Sequence, residues 1–81
     1  MRLQVRRVSD GPGPGEVVIE IETTSGTTEE VVIHGAAIEE NTIDVGHPID
    51  SSEGRSLVEL PREAMSGKWR IWVPAGVLQN G

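Results

Sequence analysis

The part of the sequence that offers the most chemistry is residues 68–73, Lys-Trp-Arg-Ile-Trp-Val. Side chains alternate between the two faces of a β-strand, so the even-numbered positions share one face: Lys68, Arg70 and Trp72. The odd-numbered positions share the other face, which we predict to lie in the core: Trp69, Ile71 and Val73. An indole beside two cations suits cation–π packing and stacking on a planar or extended ligand.

Two arginines near the start of the sequence would enlarge this surface. Small barrels often pair their first and last strands, and such pairing would bring Arg2 and Arg6 beside the even-numbered residues. We therefore predict a partner-binding surface with these members: Trp72, Arg70, Lys68, Arg2 and Arg6. A structural interpretation is also open, in which Trp72 covers a barrel edge or a subunit contact and the bases neutralise Glu20 and Glu22.

The residue types of metal sites are present without the spacing of a metal site. His34 and His47 could join Asp44 or Asp50 as ligands, yet their separation matches no metal signature. The acidic segment 50–54 lacks the regular oxygen ligands and the following Glu of a calcium loop. The sequence predicts no metal and no cofactor, and we interpret the segment as a solvated turn in a polar loop over 47–55.

Catalytic residue types lack a recognisable arrangement as well. The chain contains no cysteine, and no serine lies in a nucleophile elbow. The carboxylate pairs Glu29-Glu30 and Glu39-Glu40 would need a cleft that shifts their pKa values, which a chain of this size seldom encloses. The glycines at 13 and 15 are not followed by the Lys-Ser/Thr of a phosphate-binding loop. We therefore predict that the protein is not an enzyme.

Composition limits the class of protein and of partner. The 81 residues suit a single domain over 1–81, and 13 acidic against 7 basic residues give a net charge of −6. A mainly acidic surface repels nucleic acid and anionic membranes, so nucleic acid is disfavoured and no membrane partner is predicted. The N-terminus alternates instead of forming a signal peptide, and no apolar run approaches the roughly 20 residues of a membrane span. We expect a cytoplasmic protein.

The clearest structural prediction is a β-hairpin over residues 16–34. Apolar and polar residues alternate along 16–23 and again along 29–34, which indicates two half-buried strands. A three-residue loop, Thr24-Ser25-Gly26, places Val17 opposite Ile33 and Ile19 opposite Val31, whereas a two-residue loop would oppose apolar and polar residues. Such loops favour glycine at the last position, where Gly26 lies.

The remaining segments predict an all-β domain with little helix. Short strands are expected near Leu3, near Ile43, over 57–60 and over 68–73, with a mobile loop over 10–15. One helical turn is expected near residues 61–66, because proline suits a first helical position and Gly67 suits the stop. The total is five or six short strands, which favours a small barrel, SH3-like or similar.

Two short segments resemble known families. The segment 72–78, Trp-Val-Pro-Ala-Gly-Val-Leu, is similar to the close of many SH3 domains, where an apolar pair, proline and small residues form the last turn and strand. The resemblance implies an SH3-like barrel but not proline-rich peptide binding, because the family's aromatic-rich loop is not recognisable. The opening Arg6-Arg7-Val8 resembles the RNA-binding dimers of the carbon storage regulator family, whose later signatures are missing.

These observations favour a non-catalytic interaction module that binds a protein partner, or a second copy of itself, through a sheet face or edge. The small size of the domain makes self-association as a homodimer one form of this prediction. The alternative is a small barrel that binds single-stranded nucleic acid through the basic and tryptophan-bearing face of its first and last strands.

Overall fold

The computed structural model describes residues 1–80, which form an all-β fold, as the alternating sequence predicts. Nine short strands occur in that range, more than the five or six predicted. They are β1 (Arg2–Gln4), β2 (Arg6–Asp10), β3 (Glu16–Glu22), β4 (Thr28–His34), β5 (Thr42–Asp44), β6 (Asp50–Ser52), β7 (Arg55–Glu59), β8 (Arg70–Pro74) and β9 (Leu78–Gln79). Single 3-10 turns follow β4 and β8, at Gly35–Ala37 and Ala75–Val77.

The strands are arranged in three small antiparallel sheets. Their orders are β5-β1-β9, β2-β3-β4 and β6-β7-β8. The strand pairings within residues 1–80 do not close into a barrel, so the barrel stays a prediction. No helix in the same range is long and apolar enough to cross a bilayer.

The predicted hairpin over 16–34 is confirmed in register and in loop type. Val17 pairs with Ile33 and Ile19 pairs with Val31, so apolar residues face one another across β3 and β4. The loop between the strands has three residues, and Gly26 at its end has a φ of 81°. This left-handed conformation is accessible to glycine without the steric cost that a Cβ atom brings.

The core is built from aliphatic side chains of all three sheets. Ile19, Ile21 and Val31 from the hairpin are completely buried, and Leu3 and Val58 from the other two sheets are buried equally. Each such side chain contributes about 1.5–3 kcal/mol by leaving water. The alternating apolar residues of these strands therefore lie inward, as the sequence predicts.

The helical turn predicted near residues 61–66 is wrong. The backbone N–H of Ala64 donates to the carbonyl of Lys68 at 2.8 Å, and that of Leu60 donates to the carbonyl of Trp69 at 2.8 Å. The N–H of Met65 donates to the carbonyl of Glu30 on β4 at 2.8 Å. Residues 60–69 thus form a hairpin-like connection docked on β4, and these donors are not used in a helix.

The predicted polar loop over 47–55 is also partly wrong. Its second half contains β6 and the start of β7, joined by a two-residue turn at Glu53 and Gly54. Both turn residues have positive φ, at 50° and 79°, which is the conformation of a tight hairpin turn. The turn places Arg55 on a strand, and that position matters for the candidate site.

Candidate functional site: the Trp72 groove

Trp72 lies on the outer face of the sheet β6-β7-β8. Its neighbours along β8, Ile71 and Val73, are buried, so alternation turns Trp72 away from the core. The indole is nevertheless partly buried, and Leu57 is the residue paired with it on β7. The outward orientation that the sequence predicts for Trp72 is therefore correct.

The prediction for Trp69 is wrong. It was expected in the core with Ile71 and Val73, but it is 51% exposed. The reason is that β8 begins only at Arg70, directly after a connection that turns at Gly67. The two-residue alternation holds inside a regular strand and does not extend through a turn.

A cation stacks on the Trp72 ring from a position that sequence reasoning missed. The Arg55 guanidinium carbon lies 4.7 Å from the ring centroid, a cation–π contact. The sequence interpretation placed Arg55 in a polar loop and therefore did not place it on the same face as Trp72. The available signal was Glu53-Gly54 directly before the alternating run 55–59, since a residue pair ending in glycine is typical of a two-residue hairpin turn.

Trp72 borders an open groove between β8 and the β3–β4 loop, which we call the Trp72 groove. Its volume is about 470 Å³. One wall carries hydroxyl side chains: Thr23, Thr24, Ser25 and Thr27. The other wall carries the basic residues Arg55, Lys68 and Arg70 together with Trp72. A hydrogen bond from the Thr24 N–H to the Trp72 carbonyl, at 3.1 Å, joins the two walls.

Glu29 on β4 is the acidic residue among those lining the Trp72 groove. Its carboxylate is mostly buried and accepts a hydrogen bond from the Ser66 hydroxyl at 2.6 Å. Lys68 Nζ lies 3.8 Å from the same carboxylate, and the Arg70 guanidinium lies 3.7 Å from Glu59. Both separations exceed hydrogen-bond length. In the Arg70–Glu59 pair both side chains are exposed, so this ion pair is weak and can be exchanged for a ligand.

The structure brings together three of the five predicted surface residues and separates the other two. Trp72, Arg70 and Lys68 line the groove, whereas β1 pairs with β5 and β9 and not with β8. Arg2 consequently lies elsewhere and donates to the side chain and the carbonyl of Thr42, at 3.0 and 2.9 Å. Arg6 forms an ion pair with Glu20, as the structural interpretation of the bases expected.

Two carboxylates outside the groove have pKa values below their ordinary range. The hydrogen bond from Arg62 to Glu16, at 2.8 Å, is the main cause that lowers the pKa of Glu16. The backbone N–H of Gly46, which donates to Asp44 at 3.0 Å, is the main cause that lowers the pKa of Asp44. Both groups are surface carboxylates stabilised as anions by local donors.

Metal-ligating side chains do not converge within residues 1–80, where no group of three or more His, Asp or Glu residues could hold an ion. Comparison with protein-family models, with curated proteins and with solved structures finds no match to this chain. Function is therefore inferred from the geometry of the Trp72 groove.

Proposed function

We propose that the protein is a non-catalytic interaction module that binds a protein partner in the Trp72 groove. The observation that carries the proposal is the partly buried indole on an outer sheet face, with Arg55 stacked on it. Tryptophan and arginine are the residue types that contribute most to binding energy at protein interfaces. A fixed aromatic group with a stacked cation offers a rigid contact area at a small entropic cost.

The shape of the groove supports an extended partner segment. The groove lies between the exposed β3–β4 loop, which contributes Thr24 and Ser25, and strand β8. A strand-like peptide lying along such a groove can pack alternate side chains against Trp72 and use its own backbone to reach the loop hydroxyls. A second copy of this chain is one form of the proposed partner, and light scattering of the purified protein distinguishes the two forms.

The two tryptophans provide a matched test. A displayed library of random extended peptides is selected against the intact protein, and the recovered peptides are then measured against Trp72→Ala and Trp69→Ala. We expect Trp72→Ala to weaken binding by about 10-fold or more, the usual loss at an aromatic interface residue, and Trp69→Ala to change it little. Circular dichroism and thermal unfolding of each variant, together with the conservative Trp72→Phe, separate a lost contact from a lost fold.

Two results would contradict the proposal. One is that no peptide is enriched by the intact protein. The other is that the enriched peptides bind the Trp72→Ala variant as tightly as the unaltered protein, since the binding surface would then lie away from the groove.

Binding of single-stranded nucleic acid is the weaker proposal. It is supported by the position of Arg55, Lys68 and Arg70 around an indole on which a base could stack. It is disfavoured by the net charge of −6 and because Arg2 and Arg6 are not among the residues that line this groove. Salt-sensitive gel shifts with quenching of Trp72 fluorescence would favour it.

We also propose that the three sheets belong to a small SH3-like barrel. The support is local: β8 is followed by the 3-10 turn Ala75–Val77 and by β9, the turn and strand that the resemblance to SH3 domains implies. We also propose a cytoplasmic location, with which a chain that contains no cysteine, and therefore no disulfide, is compatible.

A further inference from the structure

The Trp72 groove has a charge opposite to that of the protein as a whole. The protein carries 13 acidic and 7 basic residues. The groove is lined by three basic residues, Arg55, Lys68 and Arg70, and by one acidic residue, Glu29. A positive groove on a negative molecule selects ligands by charge, because the remainder of the surface repels anions that miss the groove.

The basic groups of the groove are available to a ligand. Arg55 has no carboxylate within 4.0 Å among residues 1–80, and its guanidinium is held over the Trp72 ring. The Arg70 and Lys68 side chains are 59% and 65% exposed and have their acidic neighbours at 3.7 and 3.8 Å. A guanidinium with exposed N–H groups can form two parallel hydrogen bonds to a carboxylate.

The spacing of the groove residues matches that of an extended peptide. Arg70 and Trp72 are two residues apart on β8 and lie on one face, which separates them by about 7 Å. Residues two apart in an extended ligand have the same separation and also point to one side. A ligand carboxylate at Arg70 therefore places the side chain two residues further along at Trp72, where Arg55 can receive a second carboxylate.

We infer that the partner of the Trp72 groove is an acidic extended protein segment with carboxylates on alternate residues. This inference rests on the proposed function and specifies its ligand. Arg70 and Arg55 bind the two carboxylates, and the methylene groups of the second acidic side chain pack on the indole. Thr24 and Ser25 line the opposite wall of the groove and offer hydroxyl groups to the peptide backbone.

The test uses three fluorescein-labelled peptides that differ only at every second position, where they carry glutamate, glutamine or lysine. Fluorescence anisotropy measures their binding to the intact protein at low and at physiological salt. We expect the glutamate peptide to bind about 10-fold or more tightly than the glutamine peptide, with a loss of affinity as salt rises, and the lysine peptide not to bind.

Charge reversal at matched positions locates the site. Arg70→Glu should weaken the glutamate peptide by about 10-fold or more, whereas Arg7→Glu should change its affinity less than about twofold. Arg7 is equally exposed, at 59%, but its partner is Asp10 on β2, away from the groove. Beyond a Debye length of about 8 Å, physiological salt screens the same charge change. Unchanged circular dichroism verifies the fold of both variants.

The outcomes separate this inference from the proposed function. Equal affinity for the glutamate and glutamine peptides, with loss of both on Trp72→Ala, would overturn the acidic ligand and leave the interaction module standing. Tighter binding of a single-stranded oligonucleotide than of the glutamate peptide, lost on Arg70→Glu, would overturn it in favour of nucleic acid. If neither this set nor a random library yields a ligand, both proposals fail.

Discussion

Residues 1–80 contain two three-residue turns with the same backbone geometry. The sequence predicts the first of them, but in place of the second it favours a helical turn. In the first, the N–H of Thr23 donates to the carbonyl of Thr27 at 3.0 Å, around Thr24-Ser25-Gly26. In the second, the N–H of Ala64 donates to the carbonyl of Lys68 at 2.8 Å, around Met65-Ser66-Gly67. Each turn ends in Ser-Gly, and the glycines have φ values of 81° and 91°.

The difference between the two turns lies in the residues that flank them. The first joins two long alternating runs, so the strands and the loop each predict the same hairpin. The second follows Pro61-Arg62-Glu63-Ala64, a combination that suits the first turn of a helix. The tertiary contact of Met65 with Glu30 decides in favour of the hairpin-like form. Turn chemistry is therefore a better guide than helix propensity over so short a segment.

Both turns also position the candidate site. The first supplies the hydroxyl wall of the Trp72 groove and is tied to β8 through Thr24. The second holds Ser66 against Glu29 and presents Lys68 to the groove. The two turns differ in burial and in hydrogen-bond partners. Four experiments compare how much each turn and its contacts contribute to stability.

The largest expected effect compares the core beneath the first turn with the tip of the second. Ile19 on β3 is 0% exposed, so Ile19→Ala should lower the free energy of unfolding by about 2–5 kcal/mol. Met65 is 67% exposed, and Met65→Ala should change it by less than about 0.5 kcal/mol. Urea unfolding followed by circular dichroism measures both. Equal losses would mean that the second turn is as firmly packed as the β3–β4 core.

The next effect compares the two serines at matched loop positions. Ser66 donates to the buried carboxylate of Glu29, so Ser66→Ala should cost about 1.5–3 kcal/mol of unfolding free energy. Ser25 exchanges hydrogen bonds only with the hydroxyls of Thr23 and Thr27 at the surface, so Ser25→Ala should cost less than about 0.5 kcal/mol. Chemical denaturation measures the pair, and similar values would contradict a special role for Ser66.

A third comparison asks whether the two glycines are equivalent. Gly26 and Gly67 both have positive φ, and an added Cβ would meet no atom within 4 Å at either position. Gly26→Ala and Gly67→Ala should therefore each cost about 1–2 kcal/mol through backbone strain alone. Gly76→Ala, which is equally open but lacks a positive φ, is the control and should be nearly neutral. A cost at only one turn would show that the other can change its conformation.

The smallest effect concerns the ion pair between Arg62, in the connection 60–69 that contains the second turn, and Glu16, at the start of β3. Arg62 lowers the pKa of Glu16, so the pair stabilises the fold at neutral pH and its contribution is lost as pH falls through the lowered pKa, below the ordinary value of about 4.3. Thermal unfolding of Arg62→Gln should give a lower midpoint than the unaltered protein at pH 7, and the difference should shrink as the pH is lowered step by step below the ordinary carboxyl range. A difference that persists in acid would exclude Glu16 as its source.

Much of the fold could be predicted from the sequence because its signals were local. The β3–β4 pairing of Ile19 with Val31 follows from parity, since a slip of one residue would turn every apolar side chain outward. Strand β6 could not be predicted in this way. Its residues Asp50–Ser52 are polar, and they become a strand only by pairing with β7. The candidate site was half predictable, for Trp72 followed from alternation along β8 while Arg55 required knowledge of the neighbouring strand.

The sequence by itself determined that the chain forms strands, which side chains of the main hairpin are buried, and that Trp72 turns outward. These properties depend on the alternation of apolar and polar residues along the chain, which is a local feature of the sequence. Only the tertiary structure decided that Arg2 and Arg6 lie apart from Trp72, that Arg55 stacks on the indole, and that Ser66 reaches Glu29. Contacts between distant residues depend on strand order and on the path of each connection, and short polar segments carry little information about either.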